Sequence, residues 1–355
     1  MMGSRAERGV GVRRRFSVRD IARQAGLSEA TVDRVLNERP GVRAGSVEQV
    51  RRAVDDLERQ QTQVRLTGRT AMFDLVMAAP PRFCDAVRSA LEAEIPSLHP
   101  ATVRVRFHQF PGGVVEPLEQ ALDRVLRTGS HGVLLQAPDL PGVRAAVEAL
   151  ERAQVPVVTL ASDLPGSPRR GYVGADNRGA GATAAYLLSQ WLGEGPGEVL
   201  VVRGGESQHS EEERAVGFAR TLAAVPGPRR RVVEVRDDPV VPQALEAGVV
   251  EALAAHPDLR AVYSMSAGAG GNATVLRAFE RSGLTAAAFV AHDLDGENAD
   301  LLREGRLSAV LHHDLGSDCR RACQILLRAP YTRTEPARPP SAIQIVTRFN
   351  LPTAR

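Results

Sequence analysis

The chain has 355 residues, 43% of them hydrophobic, and a formal net charge of +3, which allows a small module beside a larger unit with a real core. Its 45 basic residues are all Arg, so a Walker lysine, a pyridoxal-phosphate Schiff base and a lysine nucleophile are excluded together. No segment has about eighteen consecutive apolar residues, and the opening MMGSRAERGVGVRRR lacks an apolar signal region, so a cytoplasmic protein without a membrane partner is expected.

Residues 1–15 form a basic tail, expected to be disordered, that either adds non-specific phosphate attraction or is a mere start-site extension. The next stretch predicts three short helices. Ser17 with Asp20 opens the first, whose apolar residues are Val18, Ile21, Ala22 and Ala25, and Gly26 stops it. Ser28 opens the second, with Thr31, Val32, Val35 and Leu36 on its apolar face. After a turn-rich loop from Asn37 to Gly45, Ser46 with Gln49 is expected to cap a third helix carrying Val47, Val50, Val54 and Leu57. Two amphipathic helices joined by a Gly-containing turn make a helix-turn-helix reader of the DNA major groove.

The exposed side of the second helix offers Glu29, Ala30, Asp33 and Arg34. Arg34 suits guanine O6 and N7 as a bidentate donor, and Glu29 can accept from cytosine N4. Ser17, Ser28 and Thr31, with the helix N-termini, suit phosphate oxygens. Residues 1–68 hold fourteen Arg against nine acidic residues, so the polyanion partner belongs to this end.

The run Val18-x-Asp-Ile-Ala-x-x-Ala-Gly-Leu-Ser-x-x-Thr-Val-x-Arg-Val-Leu-Asn37, with Val42 and Val50-x-x-Ala53-x-x-x-Leu57, resembles the DNA-binding headpiece of the LacI/GalR family of bacterial repressors. The resemblance implies base-reading positions at Glu29, Ala30 and Arg34, and phosphate-facing or structural ones at Thr31 and Asn37. It weakens at once: the family's Tyr-x-Pro-Asn motif and hinge helix give way to Glu58-Arg-Gln-Gln-Thr-Gln-Val-Arg-Leu-Thr-Gly68, and Gly68 falls where a minor-groove wedge Leu is expected. Val64 and Leu66 are read as ordinary linker packing, with Leu66 as a displaced wedge the alternative.

From about Met72 apolar strands alternate with amphipathic helices, the pattern of βαβ units. Strands are predicted from Met72–Ala78 through Ser308–His312, with Ile343–Phe349 a possible last one, and helices fall between them. The fold class expected is an α-helical headpiece plus an α/β core. The order, with Pro156-Val-Val-Thr-Leu, Tyr172-Val-Gly-Ala-Asp-Asn177 and Arg214-x-x-Gly-Phe218, resembles the type I periplasmic-binding-protein fold near its sugar-binding branch. The domains expected are a headpiece at 16–60, a hinge at 61–70 and a core at 71–355, the core split into about 71–173 with 314–341 and 174–313 with 342–355.

Ligands of open α/β sheets sit at the carboxyl ends of strands. Candidates there are Phe83, Ser162, Asp163, Arg214, Asp293 and His313, a set of carboxylates and a guanidinium facing an aromatic platform, as a polyhydroxylated ligand requires. The resemblance puts Arg214 and Asp293 at the two most constant sugar-gripping positions. His313 replaces the usual Gln, and Gly268 to Asn272 replaces a common Asn-Asp pair, which makes Asn272 a further candidate.

Gly268-x-Gly270-x-x-Ala273 and Gly179-x-Gly181-x-x-Ala184 imitate a dinucleotide fingerprint but open Ala/Gly-rich helices within the fold, where such a domain would begin with the loop. Cys319 and Cys323 near His312 and His313 lack zinc-type spacing, and there is no Gly-x-Ser-x-Gly elbow. The expectation is a non-enzymatic, cofactor-free regulator, a repressor. It would bind near-palindromic double-stranded operator DNA as a homodimer and answer to a sugar or polyol effector. The alternatives are a cytoplasmic sugar-binding protein, a sugar-modifying enzyme, or a regulator with a nucleoside or acid effector.

Overall fold

The computed structural model describes residues 16–110, 115–204, 209–237, 242–265, 270–332 and 339–352. The basic tail and Gly268 lie outside them. The chain forms two compact units: one runs to Arg69 and takes in His99–Ala101, and the other holds Thr70–Leu98 and everything from Thr102 onward.

The first unit contains α1 (Val18–Ala25), α2 (Glu29–Leu36) and α3 (Ala44–Leu66). Ser17 Oγ accepts the Asp20 amide at the start of α1, and Ser28 Oγ accepts the Thr31 amide at the start of α2, so each cap satisfies an otherwise orphan N–H. Gly26 ends α1 at φ 66°, a left-handed conformation that glycine adopts without steric cost. Ile21, Ala22, Val32, Val50 and Ala53 form the small buried core, with Val18, Leu27, Val35, Leu36, Val54 and Leu57 around it.

Two expectations about the third helix are corrected. It begins at Ala44, not at Ser46, whose amide already bonds to the Arg43 carbonyl. It also runs unbroken to Leu66, through most of the segment assigned to a linker. The physical reason is that Glu58 to Leu66 contains no Gly or Pro, and its Glu, Arg and Gln residues are good helix formers. Leu66 is buried, whereas Val64 is 76% exposed.

The second unit opens with β1 (Thr70–Met77), α4 (Pro81–Glu94), β2 (Thr102–Gln109), α5 (Val115–Thr128), β3 (Gly132–Gln136), α6 (Pro141–Arg152), β4 (Val157–Leu160) and β5 (Gly171–Val173). These strands form one parallel sheet in the order β2-β1-β3-β4-β5. There follow α7 (Asn177–Leu192), β6 (Glu198–Gly204), α8 (His209–Ala224), β7 (Val232–Asp237), α9 (Pro242–Ala255), β8 (Leu259–Ser264), α10 (Gly271–Arg281), β9 (Ala288–His292), α11 (Gly296–Arg303), β10 (Ala309–His312), α12 (Leu315–Arg328) and β11 (Gln344–Val346). The second sheet runs β11-β10-β9-β8-β6-β7, parallel except for β11.

Strands such as β3, β4 and β9 are buried along their whole length, because helices cover both faces of a parallel sheet. That is why they read as continuous apolar runs. The polypeptide passes between the sheets three times: after β5, after β10, and again after α12, which packs on α4, β4 and β5 before β11 joins the second sheet. Among the described residues no helix is long and apolar enough to cross a membrane.

Candidate functional site

In the first unit, Glu29, Ala30 and Arg34 are exposed on α2, and neither Glu29 nor Arg34 has an ion-pair partner among the described residues. The other candidates are tied into the fold. Ser17, Ser28 and Thr31 spend their hydroxyls on helix starts, with Ser28 Oγ 2.8 Å from Thr31 Oγ1. Asp33 holds the loop after α2: its Oδ1 accepts from Asn37 Nδ2 at 2.8 Å and its Oδ2 faces Arg39 at 3.4 Å. Arg34 is thus left as the free long donor, in the last turn of α2.

In the second unit, Phe83, Arg214, Asp293 and His313 meet at one cavity of about 70 Å³, together with Ala79, Pro80, Arg82, Gln136, Ala161, Ser210 and Glu211. The lining comes from the carboxyl ends of strands in both sheets, the place that parallel α/β topology reserves for ligands. A narrower annex of about 20 Å³ adjoins it past Arg82, Phe83 and Asp293 and reaches His312 and Asp295.

Arg214 is placed by backbone geometry. Glycines at 181 on α7 and 217 on α8 let the two helices touch main chain to main chain; a Cβ on Gly181 would overlap the Arg214 carbonyl, and one on Gly217 the Arg178 carbonyl. This close packing, with Asp176 capping the Gly179 amide, accounts for the fingerprint-like run in α7. The Arg214 guanidinium gives Nε to Asn177 Oδ1 at 2.9 Å and Nη1 to the Met265 carbonyl at 2.6 Å, leaving Nη2 without a partner among the described residues. Asn177 is held in turn by the Tyr172 hydroxyl and the Ala161 carbonyl, both at 3.3 Å.

Asp293 follows β9 at φ 63°, and Ala161 follows β4 at φ 61°. Left-handed backbone at a non-glycine residue costs energy and concentrates at sites where side-chain aim matters. At Asp293 the turn is held by its amide to the Leu311 carbonyl and by Asn298 Nδ2 on its own carbonyl. Its carboxylate has no hydrogen-bonding partner among the described residues. Glu211, one turn before Arg214, accepts the Gly204 amide at 2.9 Å.

Three expected effector residues stand apart from the cavity. Asp163 is consumed by its own sheet: both oxygens face Arg169 at 2.5 Å, and Thr159 Oγ1 and the Leu164 amide donate as well. Burial alone would raise its carboxyl, but the Arg169 and Thr159 hydrogen bonds prevail and hold it below the usual range. Ser162 is buried with an unpartnered hydroxyl and is absent from the lining. Asn272 is buried and donates to Asn298 Oδ1 at 2.7 Å, which stabilises the turn carrying Asp293. Sequence reasoning missed Arg82, Gln136, Ser210 and Glu211. Gln136 carried a signal, as the single polar side chain ending the apolar strand Gly132–Gln136, and Glu211 lies one helical turn before Arg214.

Behind Arg214, Tyr263 stacks on Phe218 with ring centroids 4.8 Å apart and meets His292 Nε2 at 2.8 Å. Burial, reinforced by the Arg214 charge, pushes His292 far below the ordinary histidine range, so it is neutral. Cys319 and Cys323 are inert core thiols: burial drives both up, Cys323 to about 12.

Residues 17–58 match the model of bacterial regulatory proteins of the lacI family, and residues 75–329 match that of the periplasmic binding protein domain. The chain belongs to the periplasmic-binding-protein domain family, and a lacI-family headpiece precedes that core. Among its relatives is the HTH-type transcriptional regulator reg1 of Streptomyces lividans, 28% identical over 221 residues, which are 60% of each chain. The ribose import binding protein RbsB of Salmonella typhimurium is 27% identical over 190 residues, 52% of this chain and 60% of its own. The chain thus spans about 60% of the length of the curated relatives it matches. The solved structure of GanP, a glucose-galactose binding protein from Geobacillus stearothermophilus, shares the core fold with a TM-score of 0.69 and 18% identity, covering 80% of this chain and 99% of that one. The lacI-family headpiece and the solute-binding fold therefore occur in one polypeptide.

Proposed function

We propose that this chain is a transcriptional regulator, a repressor, that binds operator DNA through α2 and changes its operator affinity when a small sugar or polyol enters the cavity at Arg214, Asp293 and His313. The observation that carries the reading is the pairing of an exposed reading helix with a cavity whose unpartnered polar groups suit hydroxyls. Arg214 Nη2 donates only and the Asp293 carboxylate accepts only, so a hydroxyl, which does both, serves either. Phe83 offers an apolar face to C–H groups.

An uncharged ligand fits this lining best. The other guanidinium, Arg82, is paired with Asp295, and Glu211 adds a carboxylate, so a phosphorylated or acidic effector would face uncompensated negative charge. The headpiece works as one half of a homodimer in the cytoplasm, because a single α2 contacts too little DNA and two half-sites supply affinity by effective concentration.

A thermal-shift panel of neutral sugars, polyols, sugar phosphates and nucleosides tests the effector side, since a ligand that binds only the folded state raises the melting temperature. The expected result is stabilisation by a neutral sugar or polyol and none by its phosphate. Stabilisation by acids or nucleosides alone would refute the effector class.

A further inference from the structure

We infer that Asp318 is a positioning residue that fixes the tautomer of His313, so that the free Nε2 of His313 accepts a hydrogen bond from a ligand hydroxyl. The inference rests on the proposed effector cavity. It adds to that reading the direction of one specific hydrogen bond and the residue that sets it.

His313 follows β10 and lines the cavity while only 4% exposed. Its Nδ1 lies 2.7 Å from Asp318 Oδ2, in the first turn of α12, where Asp318 is 1% exposed. The other Asp318 oxygen accepts from the Ser341 hydroxyl. A carboxylate has no proton to give, so in the neutral ring the proton resides on Nδ1 and Nε2 carries a lone pair. No described residue hydrogen-bonds Nε2. The same arrangement, a buried carboxylate orienting an imidazole through one nitrogen so that the other presents a defined role, is how outer residues orient histidines at metal sites.

The consequence is a directional code. Arg214 Nη2 offers a donor, and Asp293 and His313 offer acceptors. The ligand must therefore supply two donating hydroxyls at fixed positions, and a keto, deoxy or O-methyl group facing His313 leaves Nε2 unpartnered. A buried acceptor left without its donor is penalised in binding, which is the basis of selectivity in polar sites.

Asp318 also ties this contact to the connections between the sheets. Ser341, beyond its bond to Asp318, donates its amide to the Gly174 carbonyl at 2.8 Å. Gly174, His313 and Ser341 belong one each to the three passages between the two sheets. A hydroxyl bound to His313 is thus linked through one carboxylate to all three.

The test uses the full chain with ¹⁵N-labelled histidine at about pH 8, above the ordinary histidine value. The His313 signals are assigned by their loss in His313→Gln. The expected ligand-free spectrum shows Nδ1 protonated and Nε2 bare, with the balance moving toward protonated Nε2 in Asp318→Asn, whose amide can donate to Nδ1. Ser341→Ala, which keeps the carboxylate, should leave the tautomer in place. A protonated Nε2 in the unaltered chain overturns the inference, and that result stands even should Asp318→Asn fail to fold. Calorimetric titration with D-ribose, D-glucose, D-galactose and myo-inositol then reads the ligand side. A probe that binds is expected to lose affinity roughly tenfold in folded Asp318→Asn. An unchanged Kd overturns the ligand role. No binding by any probe, with the expected tautomer, would fail the effector reading of the function while the tautomer lock stands.

Discussion

Arg82, in the first turn of α4, and Asp295, the residue that caps α11, form an ion pair that joins the two sheets of the core across the mouth of the cavity. Both side chains are mostly buried, at 17% and 20% exposure, so solvent screens the pair less than a surface one. The pair thus bridges the cleft between the two sheets. A double-mutant cycle with Arg82→Gln and Asp295→Asn, the latter keeping a side-chain cap for α11, should show a coupling of about 1 kcal/mol in denaturant unfolding. Small-angle scattering of Arg82→Gln should show a more extended core. Strict additivity with unchanged scattering would mean that the pair does not latch the cleft.

The α7–α8 contact makes a second prediction. Gly181→Ala must force main chain away from main chain, and such overpacking costs about 1–3 kcal/mol. Gly296→Ala, where an added methyl meets nothing within 4 Å, should be neutral or stabilising. Because Arg214 rides on the same contact, Gly181→Ala should also weaken sugar binding, and a variant with normal stability and affinity would show that the helices need not touch.

Acid stability follows from His292. Its folded-state affinity for a proton is depressed by burial, while the unfolded chain takes one up near pH 6.5, so its contribution is intact above that value and is lost as the pH falls below it. The expected loss is about 1.4 kcal/mol per pH unit below the unfolded value. His292→Gln should flatten the urea midpoint between about pH 6.5 and 5, above the range where the carboxylates respond. A slope identical to that of the unaltered chain would show that His292 is protonated in the folded state.

Much of this architecture was legible in the sequence, and the failures have physical causes. The first two helices announce themselves through Ser17, Gly26 and Ser28, whose capping roles are local and need no tertiary context. The parallel strands are legible because burial on both faces leaves uninterrupted apolar runs. Arg214, Asp293 and His313 could be picked as polar residues ending apolar strands or opening the next helix. Asp163 satisfied the same rule, yet Arg169, six residues on, claims both its oxygens, a pairing that depends on how the intervening loop folds back. Arg82 was invisible for the opposite reason: its partner is 213 residues away. The α3 helix was cut short by expecting a linker where the local residues favour helix.

On the DNA side, Arg34 is the exposed donor on α2 with no partner among the described residues. Arg34→Ala should relax base preference at one position in each half-site and cost about 1–3 kcal/mol. Asp33→Ala should instead act on the headpiece fold, by releasing Asn37 and Arg39. Unchanged sequence preference in Arg34→Ala would remove its assigned role.

The most direct test of the whole account is a binding titration of the full chain on DNA selected from a randomised pool, repeated with a saturating amount of whichever neutral sugar or polyol raises its melting temperature. The account predicts a near-palindromic selected site, affinity that falls steeply with salt as phosphate contacts require, and a change in affinity when the sugar is added. A sugar that binds the core tightly yet leaves the DNA titration unmoved would contradict it, because a ligand that does not distinguish the DNA-bound from the free state cannot regulate.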